Sequence, residues 1–178
     1  VKIQKLPSPN FSSRNGEQVD MIVIHSASLP AGEFGTSYVL DLFLNRLDLR
    51  AHPSFQELEG LKVSSHYFID RKGKVIELVD PDQMAWHAGV SSFAGREGCN
   101  AFSIGIELEG TPDHRITERQ YQVLKELCLL LMQRYPLVTP ERIVGHSDIS
   151  PGRKVDPGPL FPWQRLREAL REGVKGNA

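Results

Sequence analysis

Met21-Ile22-Val23-Ile24 is an unbroken apolar run that leads straight into an ionisable side chain, His25. Four successive apolar residues leave no polar face, so a strand built from them must be covered on both sides. That requirement confines the chain to layered architectures, with a sheet sandwiched between other elements, and it delivers His25 at the strand's end. The other elements fit such a sheet. Residues 62–69 and 74–79 are β-rich and joined by Asp70-Arg71-Lys72-Gly73, a hairpin signal with Gly in the tight turn. Over residues 102–109, Ile104, Ile106 and Leu108 face one way and Gly105, Glu107 and Glu109 the other.

Residues 36–47 read as a helix, and 118–135 as the clearest one. Thr117 and Gln120 form a capping box there, and Pro136 stops the helix. Tyr121, Leu124, Cys128, Leu131 and Tyr135 share an apolar face, and Leu127, Leu129, Leu130 and Met132 widen it, so this helix is expected to be mostly buried. A last helix starts near Pro162 and carries Trp163, Leu166 and Leu170. The expected fold class is α/β, a single domain over residues 1–178 with a central mixed β-sheet flanked by helices. No repeat, low-complexity tract or linker divides it.

With 21 Lys and Arg against 22 Asp and Glu, the formal charge is −1, which gives no electrostatic reason for a nucleic-acid or anionic-membrane partner. No apolar run approaches the roughly 18 residues of a membrane span, and no leader-like segment opens the sequence. The expectation is a cytoplasmic protein with no obligate protein partner. The two cysteines, Cys99 and Cys128, form neither a disulfide framework nor a metal knuckle, and Cys128 reads as a buried thiol.

The stretch from Gly145 to Pro159 gathers Gly, Pro and Ser around His146, Asp148, Lys154 and Asp156, and reads as a loop bearing functional groups. With His25 it can assemble two imidazoles and a carboxylate, the three-ligand set of a catalytic zinc with water in the fourth position. Asp148 competes with Asp156 for the carboxylate place or orients His146 instead. Glu107 and Glu109 lie on a solvated edge strand or in a cleft. His66 and His87 read first as half-buried structural histidines, His52 and His114 as solvated ones, and Trp86 and Trp163 as core.

His25 after its apolar strand, Ala85-Trp86-His87-Ala88-Gly89, Ser103-Ile104-Gly105-Ile106-Glu107-Leu108-Glu109-Gly110, and Gly145-His146-Ser147-Asp148 leading to Lys154-Val155-Asp156-Pro157-Gly158 occur in one order. Together they resemble the type-2 N-acetylmuramoyl-L-alanine amidase family, which includes phage lysozyme-type amidases and the peptidoglycan recognition proteins. The likeness is greatest to its cytoplasmic cell-wall-recycling branch, and it extends through the strings 29–35 and 95–97.

The resemblance implies zinc bound by His25, His146 and Asp156, with Glu107 and Lys154 catalytic. It implies anhydro-N-acetylmuramyl peptides as the substrate and binding partner, cut between muramic acid and L-alanine. Expected substrate contacts are Trp86 and His87 at the sugar, with His66, Ser26, Lys62 and Arg96. Phage-type relatives carry a cysteine as third ligand, where this chain has Asp156, and a catalytic tyrosine where it has His66. Ser26, Lys62 and Gly98 depart from the recycling-branch pattern of Asn, Arg and a basic residue. Two rivals stand beside this reading: a glycosidase using Glu107 and Glu109 as its acid and base, and a peptidoglycan-binding module without catalysis.

Overall fold

The computed structural model describes residues 1–176. Six strands form the central sheet: β1 (Ile3–Lys5), β2 (Met21–Ala27), β3 (Tyr67–Ile69), β4 (Val75–Glu77), β5 (Ser103–Glu109) and β6 (Ile143–Gly145). Their order is β1-β4-β3-β5-β2-β6. The hairpin pair β3–β4 is antiparallel and the other neighbours are parallel, so the sheet is mixed.

The apolar run is buried on both faces as expected, and Met21, Ile22, Val23 and Ile24 are fully inaccessible. The strand runs past His25 to Ala27, so His25 lies within the ladder rather than at its end. The hairpin is present, but its first strand begins at Tyr67, not at residue 62. Before it, the Ser64 and His66 N–H groups donate to the Trp86 and Gly105 carbonyls, and the His66 carbonyl accepts the Leu78 N–H.

One face of the sheet packs on two helices, α2 (Glu118–Arg134) and α4 (Trp163–Gly176). Ile22, Ile24, Ile104, Ile106, Leu108 and Ile69 meet Leu124, Leu127, Leu131, Leu166 and Leu170 in one continuous core. The Thr117–Gln120 capping box forms, and the buried face is as wide as expected except at Leu130, which is exposed. The opposite face carries two smaller apolar clusters. One joins Met21, Val23, Val144, Phe102 and Ile149. The other joins Phe68, Ile76 and Leu78 to Val39 and Phe43 of α1 (Tyr38–Phe43). That helix is shorter than the expected 36–47, because Asn45 at φ 60° leaves the helical region. Between these two clusters the front of the sheet is polar.

Candidate metal centre and active site

Strand alternation builds the polar strip. His25 pairs in register with Glu107, and Glu107 with Phe68, so both ionisable side chains stand on the front face beside the gap between the clusters. β5 has a partner strand on each side and is buried throughout, so the solvated-edge explanation of Glu107 and Glu109 does not hold. The residues after β6 form a helical turn, α3 (His146–Ile149), where a plain loop was expected. Asp148 accepts the Gly145 N–H at 2.8 Å at the start of this turn, which removes it from competition as a ligand. His146 is thereby turned back over β2.

His25 Nδ1 lies 3.0 Å from His146 Nδ1, and the two carboxylate oxygens of Asp156 lie 3.4 Å from His25 Nδ1 and 3.4 Å from His146 Nδ1. A tetrahedral divalent metal with bonds of about 2.0–2.1 Å spaces neighbouring donors about 3.3 Å apart, and the three residues bring their donors to about that spacing, the carboxylate facing each imidazole through a different oxygen. The donor chemistry agrees. His146 Nε2 is 3.0 Å from the Ala88 carbonyl, which can only accept, so Nε2 carries the proton and Nδ1 presents a lone pair. The three residues form a group able to hold a metal ion, and both histidines are buried.

Charge around the triangle is uneven. Burial pushes the Glu107 carboxyl well above the ordinary range, the Asp156 charge adds to this, and Lys154 opposes it. Burial works against the Asp156 charge too, but its bonds to His146 and His25 outweigh that and hold it well below the usual carboxylate range. Burial likewise lowers the proton affinity of His25, and Lys154 is again among the charges that act on it. Lys154 itself is exposed. Its charge acts through space on both Glu107 and His25.

The expected substrate contacts fare differently. His66 is fully buried: Nδ1 accepts the Gly105 N–H at 3.0 Å, and Nε2 sits 2.8 Å from the Gln83 carbonyl and 3.1 Å from Arg14 Nη2. It is a core histidine and offers a ligand no free atom. His87 has both ring nitrogens engaged, with His25 at 2.9 Å and Ser103 Oγ at 3.1 Å. The Trp86 indole N–H donates to Ser12 Oγ at 3.1 Å, which ties the edge of the half-buried ring to a short ribbon. Arg96 pairs with Asp20 and Glu17 and stacks its guanidinium 3.7 Å over Phe102. Lys62 is exposed beside Leu42, Asn45 and Leu58, apart from the metal group.

Ser26 alternates away from His25, and its buried Oγ has no partner, so its contribution is a backbone N–H 3.3 Å from Asp156 Oδ2. Glu109 is spent structurally as well: its oxygens accept the Gly35 N–H at 2.7 Å and the Arg71 N–H at 2.9 Å, so Glu107 and Glu109 are no glycosidase pair. Cys99 and Cys128 are buried free thiols. His52 caps the turn Pro53–Leu58 by accepting the Ser54 N–H.

Two contributors carry no sequence signal. Arg14 is buried and donates to the carbonyls of Pro81, Asn100, Ala101 and Ser103. Asn100 holds the backbone of His87 and Ala88. Neither belongs to a periodic pattern or a compact motif, and their partners lie far off in sequence.

Residues 15–159 match the family model described as N-acetylmuramoyl-L-alanine amidase. The chain is 46% identical over 169 residues to the 1,6-anhydro-N-acetylmuramyl-L-alanine amidase AmpD of Haemophilus influenzae, covering 94% of this chain and 92% of that protein. A crystal structure of an AmpD derivative superposes with a TM-score of 0.92 at 45% identity, over 95% of this chain and 94% of the other. The amidase AmiD of Escherichia coli, solved with anhydro-N-acetylmuramic acid-L-Ala-D-γ-Glu-L-Lys, superposes with a TM-score of 0.64 at 28% identity, over 90% of this chain and 65% of that one. The chain therefore belongs to the N-acetylmuramoyl-L-alanine amidase family and is an enzyme of that class.

Proposed function

We propose that the chain hydrolyses the amide between the lactyl group of anhydro-N-acetylmuramic acid and the L-alanine of the stem peptide. In this reading it uses zinc held by His25, His146 and Asp156 and serves the recycling of soluble peptidoglycan fragments. The observation that carries the reading is the convergence of His25, His146 and Asp156, their donor atoms 3.0–3.4 Å apart, with the buried Glu107 one strand away from His25. The substrate class is supported by the relatives, since AmpD is named for the 1,6-anhydro sugar and AmiD was solved with an anhydro-muramyl peptide.

Two imidazoles and one carboxylate suit zinc, which when bound would lower the pKa of a water nucleophile and polarise the scissile carbonyl. Glu107 takes the proton of the water and passes one to the departing alanine nitrogen. Burial raises its proton affinity, as befits a group that must both take and give a proton. Lys154 stabilises the negative charge that grows on the carbonyl oxygen, a contribution typically worth about 10²–10³ in turnover. Asp156 stays ionised and is steadied by the Ser26 N–H.

No helix among the described residues is long and apolar enough to cross a membrane. Work on soluble fragments goes with cytoplasmic residence, which cell fractionation tests. The deciding experiment incubates the protein with an anhydro-muramyl tripeptide and identifies products by mass spectrometry, with and without chelator. Free anhydro-N-acetylmuramic acid and tripeptide should appear, vanish with chelator and return with added zinc. Full turnover by metal-free protein overturns the metal role. Release from intact sacculi at a comparable rate, at matched muramyl-alanine bonds, moves the enzyme to wall remodelling.

A further inference from the structure

Both histidines of the metal group must present Nδ1 as a bare lone pair, and each must therefore keep its proton on Nε2. The structure supplies an outer partner for each Nε2, and the two partners come from consecutive residues. For His146 it is the Ala88 carbonyl at 3.0 Å, and for His25 it is the His87 ring, Nδ1 to Nε2, at 2.9 Å. One side chain holds both residues. Asn100 Oδ1 accepts the His87 N–H at 3.0 Å and the Ala88 N–H at 2.7 Å.

The His87 ring is further walled in. A Cβ built on Gly105 would fall 2.4 Å from His87 Cγ, so the ring lies directly on the β5 backbone and needs a glycine there. Its far nitrogen, Nε2, reaches Ser103 Oγ at 3.1 Å, and the His66 ring stands edge-on behind it at 5.9 Å. The chain His25–His87–Ser103 can carry its protons in two directions. Running outward, His25 Nε2–H donates to His87 Nδ1, and His87 Nε2–H donates to the serine oxygen. This direction leaves His25 Nδ1 free for a metal, whereas the reverse direction protonates it.

We propose that the His87–Ala88 step, pinned by Asn100, is one positioning bracket that sets the tautomers of both ligand histidines. It acts through them on metal affinity, and it makes His87 a support of the site rather than a sugar contact. Outer partners of this kind typically change metal affinity about 10–100-fold when removed. This inference rests on the metal reading above.

The test compares wild type with His87→Leu and Asn100→Ala, which remove the acceptor, and with His87→Asn and Asn100→Asp, which keep an oxygen near the same place. Zinc affinity is read by competition with a chromophoric chelator. Ring tautomers of His25 and His146 are read by long-range ¹H–¹⁵N NMR on the zinc-loaded protein, and melting of the metal-free proteins checks the fold. His87→Leu and Asn100→Ala should bind zinc about 10–100-fold more weakly, and the oxygen-bearing variants should recover most of the loss. If Asn100→Ala does not fold, the His87 pair decides alone. Zinc affinity in His87→Leu equal to wild type, or a loss that His87→Asn fails to recover, overturns the bracket and leaves the metal reading standing. A wild-type chain that binds no zinc overturns both.

Discussion

Glu107 and Glu109 show how two like residues on one strand face acquire different work. The Glu107 side chain accepts no hydrogen bond among the described residues, is pushed towards its neutral form by burial, and stands on the strand beside His25. Glu109 accepts two backbone N–H groups and holds the Gly35 loop to the Arg71 turn. Glu107→Gln should therefore keep its fold and zinc while losing turnover by at least about 10²-fold, the usual weight of a general base, in steady-state kinetics. Glu109→Gln places an amide against one of two buried donors, and should lose about 1–3 kcal/mol of stability before it loses rate. The reverse pattern, an active Glu107→Gln and a folded but dead Glu109→Gln, would exchange the two assignments.

His66 makes a pH prediction. Burial, helped by the Arg14 charge and opposed by the Gln83 carbonyl, lowers its pKa from 6.5 to about 3. Between those values the unfolded chain binds the proton that the folded one refuses, so stability is full above pH 6.5 and falls as the pH drops towards 3. From pH 7 to pH 5 this single group should remove about 2 kcal/mol. In urea titrations of metal-free protein, the stability advantage of wild type over His66→Gln should narrow by about that much across the interval. A gap that stays constant would show that His66 titrates normally.

At the scale of elements, the capping box of α2 does more than start a helix. Thr117 Oγ1 accepts the Gln120 N–H at 3.0 Å and donates to the Arg71 carbonyl at 2.7 Å. Gln120, fully buried, returns a bond to the Thr117 N–H and donates to the carbonyls of Ile69 and Glu109. One helix terminus thus ties off the ends of β3 and β5, the second of which carries Glu107 of the front-face strip. Thr117→Ala should cost about 1–2 kcal/mol, seen as a fall of a few degrees in melting temperature. Zinc affinity should hold, because the ligand triangle lies on β2 and the segment after β6. A large loss of zinc binding would show that the strand ends transmit to the triangle.

For the whole molecule, the ligand group joins a strand of the first third of the chain to a turn and loop near its end, through residues 25, 146 and 156. A metal that binds this arrangement and not the unfolded chain stabilises the fold by mass action, about 2.7 kcal/mol at a hundredfold excess over its dissociation constant. Chelation should lower the melting temperature of wild type measurably. His146→Ala, lacking a donor, should melt at one temperature whether or not zinc is present. A wild-type melting temperature indifferent to zinc would argue against a site at this junction.

Local pattern alone was enough for the strand at Met21, the hairpin at Asp70, the capped helix at Glu118 and the α/β class, because each depends on residues a few positions apart. The resemblance carried by short motifs brought His25, His146, Asp156, Glu107 and Lys154 together before any coordinates did, and the geometry around the first four is consistent with that grouping. What the sequence left open was how each polar side chain would be satisfied. Trp86, His87, Arg96 and His66 have the chemistry of ligand contacts, yet each is taken up by partners distant in sequence: Ser12, His25, Asp20 and Gln83. Burying a polar group requires a partner, and the choice among partners is made by the packing of remote segments, which no local spacing records. Tertiary structure alone decided that Glu109 holds a loop, that Asp148 starts a turn, and that Asn100 stands behind both histidines of the metal group.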